Sequence, residues 1–106
     1  MGKSDAQLQQ RLDSKATLKA TSTFKNEAEA NSFISRTLEQ RAIGLQNFLN
    51  GKAEEIQLHG QFGSEVTGRT LVRGASAATD SHKVLVQIVR DPSRANGYNI
   101  LTAHPF

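Results

Sequence analysis

The sequence divides into a helix-patterned first half and a strand-patterned second half, and this restricts the fold more than any other feature. Such segregation is expected of an α+β fold, with N-terminal helices packed on a C-terminal antiparallel sheet, and not of an alternating α/β one. Ser4 with Gln7 three residues later reads as a capping box opening a short helix through Leu8, Arg11 and Leu12. A polar stretch, residues 13–22, follows. Asn26 then caps a second helix whose first turn carries Glu27 and Glu29, where the helix dipole favours negative charge. Phe33, Ile34 and Leu38 form its apolar face. Helical spacing resumes through Ile43, Leu45, Phe48 and Leu49, with Gly44 weakening the middle and Asn50-Gly51 supplying a stop. One bent helix and two shorter ones both satisfy this pattern.

From Ile56 onward the chain changes to short β-prone runs: "IQLHGQF", "GRTLVRG", "KVLVQIV" and "YNILTA", punctuated by Gly63, Gly68, Gly74, Pro92 and Gly97. The run from Val84 to Val89 is apolar on both faces apart from Gln87, which predicts a central strand covered on both sides. Residues 75–81 read as a mobile loop. Strict alternation in the last run would put Tyr98, Ile100, Thr102 and His104 on one face, with Leu101 and Ala103 buried on the other. A hydroxyl and an imidazole then stand side by side on a closing strand expected to lie inside the sheet.

With 106 residues, 37% of them hydrophobic, the chain has material for one core, and a single domain over residues 1–106 is expected. There are 0 cysteines, so disulfides, thiolate nucleophiles and cysteine zinc sites are excluded. No apolar run is long enough to span a bilayer, and no membrane insertion by this domain is expected. Lys plus Arg number 13 against 10 Asp plus Glu, a net +3 that mildly favours a polyanionic partner.

His59, His82 and His104 fit no helical metal-ligand spacing, and no phosphate-binding loop, dinucleotide fingerprint or nucleophile elbow is present. No cofactor is therefore expected. What remains is acid–base chemistry with basic groups, the kind that splits RNA without metal through the ribose 2′-hydroxyl. It needs a base, an acid and a cation at the phosphate.

The stretches "GKSDAQLQQRL", "TSTFKNEAEA" and "GRTLVRG", together with the ending "VRDPSRANGYNILTAHPF", resemble the bacterial ribonuclease A-like toxin domains. These are the variable C-terminal domains of contact-dependent growth inhibition proteins. The resemblance covers nearly the whole chain, in order. It implies a ribonuclease A-like fold and an endoribonuclease that leaves a cyclic phosphate. In the family pattern, as the resemblance implies, a His-x-Gly-Lys-Ser/Thr segment precedes an Arg on the first helix, and a Thr and a Tyr or His on the last strand complete the site. The Arg matches Arg11, the Thr matches Thr102, and His104 takes the aromatic or imidazole position. Arg11 would stabilise charge on phosphorus, Thr102 would hold a phosphate oxygen, and His104 would transfer protons.

Lys3, Arg69 and Tyr98 are the further candidates for contact with substrate, the first two at phosphate and the third stacking on a base. Met1 stands directly before Gly2-Lys3, so the family's His would fall just upstream of the first residue; impaired activity, or reliance on His104 alone, is the expectation. The resemblance also implies an RNA substrate, a cognate immunity protein, a monomer outside that complex, and delivery from the bacterial surface into a target cell's cytoplasm. Two other readings remain open on the residues alone. One is a basic module that binds RNA or protein without cleaving it; the other is a barnase-like nuclease with Glu65 as its base. His59 and His82 read as surface residues.

Overall fold

The computed structural model describes residues Met1–Phe106. Ser4 caps helix α1 (Asp5–Ser14) through the reciprocal box expected of it. The Gln7 amide N–H donates to Ser4 Oγ at 3.2 Å, and the Ser4 N–H donates to Gln7 Oε1 at 2.9 Å. Leu8 and Leu12, one helical turn apart, are fully buried against Leu71, and Leu18 packs beside them.

Strand β1 (Ala20–Thr23) lies where the sequence reads only as a polar stretch. Its two inward residues are threonines that satisfy their hydroxyls locally: Thr21 Oγ1 donates to Leu8 O at 3.0 Å and Thr23 Oγ1 to Phe24 O at 2.9 Å. Asn26 caps α2 (Glu27–Gln40) by accepting from the Glu29 N–H at 2.9 Å. The helix then breaks at Arg41, whose φ of −110° and ψ of 27° leave the helical region, and α3 (Ala42–Asn50) follows. Two helices therefore form, and the break falls ahead of Gly44 because Arg41 turns to donate from Nε to His59 O at 2.7 Å.

The remaining strands are β2 (Glu55–Gln61), β3 (Gly68–Val72), β4 (Thr79–Ser81), β5 (Lys83–Arg90) and β6 (Tyr98–Pro105). They form two antiparallel three-stranded sheets, ordered β1-β3-β4 and β2-β5-β6. Part of the expected loop, Thr79–Ser81, is thus a strand paired with Gly68–Thr70; its polar sequence hides this because the ladder bonds are made by backbone. α1 packs on the first sheet, and α2 and α3 pack on the second, around Phe24, Phe33, Phe48, Leu58, Val84, Val86 and Ile88.

β5 is central, as its apolar run predicts, but only Val84, Val86 and Ile88 are fully buried. Leu85, Gln87 and Val89 stay half-buried because α1 covers the other sheet instead of this face. β6 lies at the edge of its sheet and not inside it. Its register with β5 slips by one residue: Gln87 pairs with Thr102 and Ile88 with Ile100, leaving Leu101 as a β-bulge. The slip overturns the strict alternation. Tyr98 and Ala103 pack toward the main core, Thr102 and His104 point the other way, and Leu101, expected to be buried, is 59% exposed.

The sheets meet where Pro105, fully buried at the end of β6, presses on Gly68 at the start of β3. A Cβ at Gly68 would run into Thr23 O and the Pro105 ring. Gly68→Ala is accordingly expected to destabilise the protein by about 1–3 kcal/mol, the usual cost of overpacking. A urea titration should show a lower midpoint at unchanged slope; an unaltered midpoint would mean the junction yields freely.

Candidate active site

Three side chains from opposite ends of the chain reach one cleft of about 230 Å³: Arg11 from α1, and Thr102 and His104 from β6. Its floor is β1, through Ala20, Thr21 and Ser22. The geometry follows from packing. Burial of Leu8 and Leu12 fixes the rotation of α1, the Thr21 hydroxyl ties β1 to Leu8 O, and Arg11 emerges on the flank of the helix beside β1. The bulge at Leu101 then sets Thr102 and His104 on the face turned away from the main core.

Electrostatics single out Arg11. The chain has seven arginines, at positions 11, 36, 41, 69, 73, 90 and 94. Arg36 pairs with Glu65, Arg69 with Asp5 and Arg94 with Asp91. Arg41, Arg73 and Arg90 spend their guanidinium groups on backbone carbonyls. Arg73 donates to Leu12 O, Lys15 O and Leu18 O behind α1, and Arg90 to Phe48 O, Leu49 O, Gly51 O and Ala53 O behind α3. Arg11 alone makes no side-chain hydrogen bond or ion pair, so its five donors stay available to a ligand in the cleft.

His104 is half-buried, and its Nδ1 lies 2.9 Å from Pro105 O. A carbonyl oxygen only accepts, so Nδ1 carries the proton and Nε2 of the neutral ring is left as an acceptor. The imidazole is thereby held in one tautomer with its basic nitrogen free.

The other candidates separate. Lys3 and Arg69 line an adjacent depression of about 390 Å³ with Thr23, Lys25, Glu29 and Asp80. Arg69 is engaged there by Asp5, whose second oxygen accepts from the Ala78 N–H at 3.1 Å, whereas Lys3 has no ionic partner. Tyr98 borders a shallow depression with Arg94 and Asn96, packs on the main core, and does not join the cleft. Glu65 is held below the usual carboxylate range, first by the hydrogen bond from Arg36 and then by its charge. It sits beside Phe33 and Phe62 through Arg36, and none of the cleft residues touches it. No three His, Asp or Glu side chains converge in a metal-binding arrangement. The floor residues of β1 were missed by pattern reading; the only signal was the pair of β-branched threonines two residues apart.

Comparison with known proteins adds the kinship. No curated protein matches the chain. The crystal structure of a CdiA-CT/CdiI complex from Y. kristensenii 33638 is similar, with a TM-score of 0.92 and 25% identity over 100% of this chain and 93% of that one. The family described as "Bacterial CdiA-CT RNAse A domain" matches residues 1–105. A match of that extent, over a fold shared almost end to end, leaves one conclusion: the chain belongs to the bacterial CdiA-CT RNase A domains, the toxin nucleases of contact-dependent growth inhibition.

Proposed function

We propose that this single domain is an endoribonuclease that cleaves by 2′-hydroxyl transphosphorylation without a metal, with Arg11, Thr102 and His104 as its catalytic residues. The observation that carries the reading is the convergence of the one uncommitted arginine with an imidazole of fixed tautomer. His104 Nε2 accepts the proton of the ribose 2′-hydroxyl, the 2′-oxygen attacks phosphorus, and the P–O5′ bond breaks to leave a 2′,3′-cyclic phosphate. Arg11 faces the non-bridging oxygens, where charge accumulates, and Thr102 Oγ donates a hydrogen bond to one of them. The departing 5′-oxygen takes its proton from water or from a second acid. Lys3 lies in the adjacent depression, where it meets a neighbouring phosphate of the strand.

Arg11→Ala is expected to lower RNA cleavage by about 10²–10³, the worth of one preorganised charge-stabilising donor group. The assay is run in chelator. Full activity in the variant, or loss of wild-type activity on adding chelator, would overturn the reading. A non-catalytic RNA-binding module would instead bind saturably and leave RNA intact.

The similar structure is a complex with CdiI, and this supports an immunity protein for the present domain as well. That partner is expected to be acidic and to cover the Arg11 and Thr102 side, since a basic phosphate site is a natural dock for carboxylates. Apart from it the domain acts as a monomer. Membership of the family supports a position in the C-terminal part of a contact-dependent growth inhibition protein; in the proposed reading the domain acts after delivery into the cytoplasm of a target cell.

A further inference from the structure

The β2-β5-β6 sheet has one face under α2 and α3 and one face open, and the open face runs directly from the cleft. Register places its side chains in rows. Gln57, Gln87 and Thr102 stand opposite one another on β2, β5 and β6, and His59, Leu85 and His104 form the next row. Adjacent strands are about 4.8 Å apart, so the Gln87 amide is the immediate neighbour of Thr102 and Gln57 the one beyond. Beyond His104, the Phe106 ring meets His59 edge-on at 5.2 Å between centroids, with Lys83 Nζ 5.6 Å from the Phe106 centroid. No carboxylate stands in these rows.

Amides, half-buried aliphatic surface, an exposed aromatic edge and one cation, with the nearest carboxylate of β2, Glu55, one row beyond Gln57, fit a flat heterocycle with a hydrogen-bonding rim. We infer that this open face is a nucleobase platform for single-stranded RNA: Gln87 and Gln57 bond the base edges, and Phe106 with His59 offers a stacking surface. The inference rests on the proposed ribonuclease reading, because a phosphate held between Arg11 and His104 brings its own nucleotide's base over Gln87. It adds a source of sequence preference that the Arg11–Thr102–His104 trio lacks.

The test uses 2′-O-methyl oligonucleotides of uniform U, C or A composition, which cannot be cleaved, titrated by fluorescence anisotropy. Wild type is expected to prefer one composition. Gln87→Glu, which turns an amide donor into an acceptor at equal size, is expected to reorder that preference. Phe106→Ala is expected to weaken all three by roughly tenfold, the lower range for a lost base stack, and Arg11→Ala to weaken all three without reordering them. Gln57→Ala, at an exposed position, keeps the test open if Gln87→Glu does not fold. Unchanged affinities and preference in the sheet variants, with Arg11→Ala still weakened, would overturn the platform and leave the ribonuclease reading standing. Loss of affinity for an immunity protein alone would also overturn it, by making the face a protein interface. A wild type that neither binds nor cleaves any RNA would remove both.

Discussion

His104→Ala is expected to lower single-turnover cleavage of a dinucleotide by about 10²–10⁴, the range contributed by a positioned acid or base. The imidazole is the one titratable base lining the cleft, and the Pro105 carbonyl commits its Nδ1 proton, so no other side chain there can take over proton removal. Substrate affinity should change far less than the rate, because the phosphate contacts proposed for Arg11 and Thr102 are left in place. A variant that binds weakly and cleaves at the wild-type rate would make His104 a binding group only. Folding is not at stake in the comparison, since His104 points away from the main core and its partner is a backbone atom of the next residue.

The second large effect concerns the other proton. Transphosphorylation needs one group to remove a proton and another to supply one, and the cleft holds one imidazole. The Gly2 N–H donates to Phe24 O at 2.7 Å and the Lys3 N–H to Thr23 Oγ1 at 3.2 Å. The chain start is thereby pinned beside β1, the strand that floors the cleft. Adding a histidine directly before Met1, the position the resemblance implies for one, is expected to raise RNA cleavage by about 10²–10⁴ on the proposed mechanism. The gain should vanish when that histidine is replaced by alanine at equal length. An equal rate with and without it would mean that His104 and water suffice.

Much of the helical half was legible because caps are local chemistry: Ser4 with Gln7 and Asn26 with Glu29 announce helix starts at fixed spacing. The four long strand runs were legible for the same reason, through their β-branched content. β1 and β4 were not, since Thr21, Thr23 and Ser81 are buried polar residues whose place in the core depends on partners far along the chain. The bulge was also illegible. A single skipped residue at Leu101 leaves no mark on an otherwise alternating sequence, yet it decides which side chains of β6 share a face. For the cleft, alternation along the last run set Thr102 and His104 side by side, whereas Arg11 was nominated by family resemblance alone. Periodicity makes Arg11 an ordinary solvated helix residue, and what sets it apart is the commitment of the six other arginines, which only three dimensions display.

β6 is an edge strand, hydrogen-bonded along one side to β5 and tied to the first sheet at its end by Pro105 on Gly68, and it carries two of the three cleft residues while the third rides on α1. Edge elements open at lower free energy than the sheet they border. In mild denaturant, then, β6 can peel away while β2 and β5 stay paired and α2 and α3 stay packed. Catalysis would vanish at a concentration where circular dichroism still reports nearly all of the native helix. Slow amide exchange in β5, set against fast exchange along β6, would record the same order of events, and the toxin would be disarmed well before it is unfolded.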